Sequence, residues 1–341
     1  MKADINQKLL ALENRDLVQS WFNKIHNRTL NQRRTKEINA TAKQAREFFN
    51  NAKKSDMTVR PLLTFYGVAC LSKALVLILN EKSGESSLKP GHGLKTKEWS
   101  KILSGDLNKS LLSLGELEVE TCKGLFSHLV IESKNRTSIH VRSAAVDWRI
   151  WYENPNLGNR FKLNELLSRI PDLEANLETM GKDVKFAYIN SISYNEKDGF
   201  NVKIQAAKAK SIAEKYENLG YTYDLDQNQY SITCTADIFK TKTPQLLHKY
   251  VDGMFGMIPQ LFIVEPLTKK ENYSEISLCY IISYYLGMLV RYFPTHWVAL
   301  VHGEKGDLYW PILFRAQYYV ENIFPELVSE LIYDILKNAE E

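Results

Sequence analysis

The pattern of apolar and polar positions divides the chain into three textures. In Lys36–Lys54 (KEINATAKQAREFFNNAKK), Ile38, Ala42, Ala45, Phe48, Phe49 and Ala52 recur at helical spacing and predict an amphipathic helix that breaks at Ser55-Asp56. Pro61 then stands where a new helix can begin, because proline at a first helical position gives up no hydrogen bond. The segment from there to Leu79 is apolar on nearly every side, which predicts a helix at the centre of a bundle and, with its predecessor, an antiparallel helical hairpin. Residues 83–95 (SGESSLKPGHGLK) are turn-forming and close the hairpin.

From about residue 115 to 265 the texture is that of strands. Glu116–Thr121, Leu129–Glu132, Val184–Tyr194, Phe200–Ala206, Tyr221–Leu225, Tyr230–Thr235 and Leu261–Val264 are rich in β-branched and aromatic residues. Tyr221–Leu225 and Tyr230–Thr235 flank a turn at Asp226-Gln227-Asn228. Helices are expected near Leu163–Leu167 and over Ala207–Leu219, the latter closed by Gly220. Helical spacing returns at Ser274–Arg291, is interrupted at Pro294, continues helical or extended over Trp297–Val301, and resumes over Arg315–Lys337, where Pro325 is expected to split the helix. The reading is therefore an α+β fold. A helical bundle is formed by residues 1–100 and 268–341, and an α+β insertion spans 101–267.

At 341 residues the chain is long enough for one large domain or two smaller ones, and its 44% hydrophobic and 25% charged residues are ordinary for a globular protein. The net charge of +4 is unevenly placed: residues 1–60 hold 13 Lys and Arg against 6 Asp and Glu. Within that segment Arg28, Arg33 and Arg34, with Trp21 and Phe22 nearby, form a candidate grip for a nucleic-acid backbone, the alternative being a solvated basic face. Lys73, alone on an apolar helix, either reaches a phosphate or runs its stem to the bundle edge. The four cysteines lie far apart, without metal-ligand or disulfide spacing, and the N-terminus has no apolar signal region, so a cytoplasmic protein is expected. Pro61–Leu79 approaches the length of a bilayer span, but Lys73 interrupts it, and Ser277–Val290 is too short, so both are read as core helices rather than membrane segments. No GxxxxGK[ST], strand-borne GxGxxG, HExxH, GxSxG or paired CxxC occurs. Phosphate-loop hydrolysis, zinc catalysis and α/β-hydrolase chemistry are set aside on that ground, and no metal or cofactor is expected.

One constellation stands out after the long apolar helix: Arg291-Tyr-Phe-Pro-Thr-His296. An imidazole near neutrality can take or give the proton of a ribose 2′-OH, and an arginine can hold the phosphate as charge builds. With 13 Arg and 7 His in the chain, about one such pairing arises by chance, so its location rather than its spacing singles it out. The alternative reading makes Arg291 a cation at a helix C-terminus and His296 a packing neighbour of Trp297. Gly91-His92-Gly93 is a further place for an imidazole, or simply a turn. Tyr280, Tyr284, Tyr285 and Tyr292 read as core and interface.

Three stretches in this order, Arg60–Leu79 (RPLLTFYGVACLSKALVLIL), Gly91–Leu94 and Ser283–Trp297 (SYYLGMLVRYFPTHW), resemble the YaaC-like family. The resemblance implies a bacterial cytoplasmic protein and supplies no reaction. The helical part is also similar to the HEPN superfamily, four-helix bundles of toxins and defence proteins in which an Arg-(x)4–6-His motif cleaves RNA without metal. That likeness implies Arg291 and His296 as a catalytic pair, RNA as substrate, a homodimer, and a role in antiphage defence or stress. The rival reading is a non-enzymatic scaffold whose α+β part contacts a protein partner.

Overall fold

The computed structural model describes residues 5–137, 142–143, 146–147, 150–205, 209–226, 228–251, 260–267 and 271–339. Helix α1 (Ile5–Glu13) passes into α2 (Arg15–His26) at Asn14, whose side chain accepts the N–H groups of Asp16 and Leu17 as an N-cap. Asn31 caps α3 (Gln32–Lys54) in the same way, through the N–H of Arg34. Pro61 lies in the first turn of α4 (Arg60–Leu79). There follow β1 (His92–Lys97), α5 (Trp99–Leu103), α6 (Leu107–Leu112), β2 (Glu118–Gly124) and α7 (Leu125–Glu132). Short ladders pair β3 (Arg136–Thr137) with β6 (Ile150–Trp151) and β4 (Arg142–Ser143) with β5 (Val146–Asp147). Then come β7 (Arg160–Lys162), α8 (Leu163–Leu167), α9 (Glu174–Thr179), β8 (Phe186–Asn195), β9 (Gly199–Gln205), α10 (Lys210–Glu217), β10 (Thr222–Asp226), β11 (Gln229–Cys234), α11 (Ala236–Thr241), β12 (Gln245–His248) and β13 (Leu261–Val264). The chain closes with α12 (Glu275–Tyr292), α13 (Pro294–Val301) and α14 (Trp310–Asn338). The fold is α+β with a helical core and a strand-rich middle.

The chain forms two compact units. The first gathers the residues up to Asn135, Asn156–Leu163 and those from Ile276 onward; the second holds Arg136–Pro155 and Asn164–Glu275. Residues 101–135 and 156–163 thus lie in the helical unit, because β1, β2 and β7 form a three-stranded antiparallel sheet within it. The buried hydroxyl of Tyr285 on α12 ties that sheet to the helices. It donates to the carbonyls of Leu117 and Phe161 and accepts the N–H of Val119.

In the first unit α3 and α4 form the expected hairpin, with Ile38, Ala42, Ala45, Phe49 and Ala52 buried. Helix α4 is long and apolar enough to cross a membrane, and 61% of its most apolar stretch lies inside the protein. At its start Arg60 makes two 2.8 Å bonds to the fully buried carboxylate of Glu321 on α14, and Gln317 donates to Thr64 at 2.6 Å beside them. The paired charge and its hydrogen bonds offset the cost of burying Glu321. Helix α12 crosses α4 so closely that a Cβ on Gly287 would lie 2.8 Å from Cβ of Phe65.

The second unit is built on a six-stranded antiparallel sheet, ordered β10-β11-β9-β8-β13-β12. Val202, Ile204 and Ile232 join Ile212, Ala213 and Tyr216 of α10 in one apolar cluster. The Tyr216 hydroxyl reaches the Val264 carbonyl at 2.7 Å. Arg169 is buried here and donates to the carbonyls of Glu165, Glu265 and Pro266.

Several expectations need correction. Leu129–Glu132, read as a strand, is the last turn of α7. Val130 and Ile131 favour a strand locally, but Phe126, Leu129 and Val130 are buried at helical spacing while Ile131 is exposed. Pro325 does not split α14, which runs unbroken from Trp310 to Asn338 with Ser329 donating to the Pro325 carbonyl at 2.9 Å. The end of the turn-forming stretch 83–95 belongs to β1. Strands β1, β7 and β12 are too short or too glycine-rich to show a period of two.

The Gly287 contact gives a direct test. Ala has the better intrinsic helix propensity by up to about 1 kcal/mol, but overpacking costs about 1–3 kcal/mol. Gly287→Ala should therefore lower the midpoint of urea unfolding, while Gly105→Ala, where a Cβ meets nothing within 4 Å, should leave it unchanged. Equal midpoints for both variants would contradict the close crossing.

Candidate functional site

The crossing of α4 and α12 sets one face of α12 against α4 and β1. Tyr280, Tyr284, Gly287 and Arg291 share that face by their spacing of four, three and four residues. The Phe65 ring lies 6.3 Å from Tyr280 and 5.6 Å from Tyr284, both edge-on. The Tyr280 hydroxyl donates to the His92 carbonyl at 2.9 Å and so holds the start of β1. The His92 ring then sits 4.9 Å from Phe65 and 6.1 Å from Tyr284. At the exposed end of α12, Arg291 Nη1 donates to the Tyr66 hydroxyl at 3.4 Å, and its guanidinium lies 5.1 Å from the Tyr292 ring centre. Tyr66 in turn packs 5.5 Å from Phe48.

Two glycines bring the imidazole here. The β1–β2 register shifts between His92 and Leu94. At that point Gly93 (φ 79°) and Gly124 (φ 150°) let three backbone segments approach. A Cβ on Gly93 would lie 2.6 Å from the Phe126 nitrogen, and one on Gly124 would lie 2.5 Å from the Gly93 nitrogen.

Burial, and then the neighbouring charge of Arg291, push the His92 pKa down, so the imidazole is neutral at pH 7. Burial drives the Tyr284 phenol up to about 12. Among the described residues neither ring nitrogen of His92 has a hydrogen-bond partner, and Arg291 has no carboxylate partner. The cluster is an exposed cation, a neutral half-buried imidazole and phenol groups, with hydrogen-bonding capacity to spare.

The residues expected from the sequence fare differently. Among the described residues no hydrogen bond joins Arg291 to His296. Helices α12 and α13 meet at 105°, because Phe293 leaves the helical region and Pro294 begins a new helix. The bend leaves His296 against Phe293, ring centres 6.0 Å apart, while Trp297 donates to the Met57 carbonyl at 2.8 Å. The His296 Nε2 is closed to solvent and has no hydrogen-bond partner. Arg34 is buried and caps the C-terminus of α4, donating to the carbonyls of Leu77 (3.0 Å), Asn80 (2.6 Å) and Glu81 (2.7 Å), with its guanidinium 5.0 Å from the Phe22 ring. Arg33 pairs with Glu37, Lys73 with Glu85, and Arg28 with Glu81 across 3.6 Å at the surface. Trp21 lines an apolar groove of about 320 Å³ with Leu12, Ile332, Tyr333 and Leu336. Tyr280, Tyr284 and Tyr285 are core, as read from the sequence, whereas Tyr292 is 58% exposed. Among the described residues no group of three His, Cys, Asp or Glu could hold a metal ion, and all four cysteines are free.

The residues gathered around Arg291 come from three separated stretches: Phe65 and Tyr66, then His92, then Tyr284, Gly287 and Arg291. The sequence model of one family, described as YaaC-like Protein, matches residues 10–332. The chain belongs to the YaaC-like family. That match spans all three stretches and both units. No curated protein and no solved structure matches the chain.

Two outcomes are expected. Arg34→Lys, which cannot bridge three carbonyls in a plane, should cost about 2 kcal/mol in urea unfolding; an unchanged midpoint would contradict the capping role. His92 has its folded pKa depressed, so its contribution to stability is present above the ordinary imidazole value and is lost as pH falls through it towards the lowered one. Thermal unfolding of the wild type should therefore fall more steeply than that of His92→Gln between about pH 7 and pH 5. Parallel curves would contradict the assigned environment.

Proposed function

We propose that this YaaC-like protein binds RNA and grips a backbone phosphate through Arg291. The observation that carries the reading is that Arg291 stands exposed and, among the described residues, has no carboxylate partner, unlike the other exposed basic residues singled out from the sequence. Arg33 and Lys73 are ion-paired, Arg34 is consumed by carbonyls, and Arg28 keeps only a weak surface pair. Arg291 is also flanked by exposed Tyr292 and half-buried Tyr66, faces on which bases can stack. The likeness of the helical part to the HEPN superfamily points to RNA among polyanions and to a stress or defence setting.

His296 takes no step in this reading; its Nε2 is closed to solvent and has no hydrogen-bond partner among the described residues. The scaffold reading draws on the apolar groove beside Trp21 and Tyr333, whose walls would suit a protein segment.

Single-stranded RNA titrated against the protein in EDTA separates these readings. Arg291→Ala should weaken binding by about tenfold for every sequence and lower the salt slope by about one, and His296→Ala, if folded, should bind as the wild type does. Wild-type protein without affinity for RNA at low salt, or an Arg291→Ala variant that binds equally well, would leave the scaffold reading in its place. Metal-free cleavage lost in both variants would instead establish Arg291 and His296 as a catalytic pair.

A further inference from the structure

The geometry points to Arg291, His92 and Tyr66 as a site for a doubly charged phosphate monoester, the terminal phosphate of an RNA strand rather than a phosphodiester within it. This rests on the RNA-binding reading above and adds which phosphate the site prefers.

A diester carries one negative charge, which a single guanidinium balances. The cluster offers more than that. Arg291 donates to the Tyr66 oxygen, so the phenol keeps its own O–H as a donor. His92 stands beside Phe65 and Tyr284, and among the described residues neither of its ring nitrogens has a hydrogen-bond partner. Among the described residues, the ring and hydrogen-bond neighbours of His92 and Arg291 are Phe65, Tyr66, Tyr280, Tyr284 and Tyr292, and no ion pair joins Arg291 to a carboxylate.

His92 is neutral in the free protein because burial and the Arg291 charge both oppose its protonation. A dianion beside Arg291 cancels that repulsion and adds an attraction, so the imidazole gains a proton from solvent and donates to the second charge. A monoester thus collects Arg291⁺ and His92⁺ together, whereas a diester supplies half the charge that would drive the protonation. The half-buried Tyr66 ring, packed on Phe48, gives the terminal base a surface on which to stack.

The test uses a short single-stranded RNA carrying an internal fluorophore and ending in a 5′-phosphate, a 3′-phosphate or hydroxyls at both ends. One of the phosphorylated forms should bind about tenfold more tightly than the hydroxyl form, equivalent to about 1.4 kcal/mol, and inorganic phosphate should compete away that increment. His92→Asn should remove the increment. Tyr66→Phe, which keeps the ring, should reduce it and serves if the His92 variant does not fold. Equal binding of all three RNAs, still weakened by Arg291→Ala, would overturn this inference and leave the RNA-binding reading standing. Binding of none of them would overturn both.

Discussion

The contact between Gly287 and Phe65 is the constraint on which the first unit depends. A Cβ at position 287 would overlap the Phe65 side chain at 2.8 Å, so α4 and α12 meet at a distance that only glycine allows. That approach does more than close a core. It brings Tyr280 within reach of the His92 carbonyl and Tyr285 within reach of the β1-β2-β7 sheet. One turn beyond the crossing, Arg291 emerges beside Tyr66. The glycine contacts at Gly93 and Gly124 act in the same way at the sheet, fixing the strand bulge from which His92 projects. Close backbone approach, rather than any bonded network, gathers the site.

Three basic side chains of this unit are satisfied internally, whereas Arg291 has no carboxylate partner among the described residues. Arg60 is taken by Glu321, Arg34 by three carbonyls at the end of α4, and Lys73 by Glu85. The first two hold helices together. Arg291 could have served the same purpose at the C-terminus of α12, and its position there does complement the helix dipole. Yet it projects onto phenol rings with most of its donors unused. A guanidinium in that state, near an imidazole whose pKa burial and the Arg291 charge push down, is what the proposed anion site rests on.

Much of the architecture could be read from periodicity alone. The α3–α4 hairpin, the β10–β11 hairpin, β8, β9, β13 and α12 follow from apolar spacing, because each buries one face or all faces against its neighbours. What escaped reading depended on distant partners. Val130 and Ile131 have strand propensity, and only their packing shows a helix. Arg34 sits in a basic run that resembles a solvated face, and carbonyl acceptors leave no mark in sequence. Gly91-His92-Gly93 was recognised as a place for an imidazole, but its neighbour Arg291 lies far along the chain and no local spacing links them. Conversely Arg291 and His296 are close in sequence but lie on helices that meet at 105°.

The central claim is that RNA reaches this protein at the α4–β1–α12 surface rather than at the basic N-terminal segment. Ultraviolet crosslinking of bound RNA, followed by mass spectrometric mapping of the modified peptides, tests it directly. Crosslinks are expected on Tyr66, His92 or Tyr292. Crosslinks confined to Trp21 and the residues around Arg28–Arg34, or to the strand-rich second unit, would contradict it.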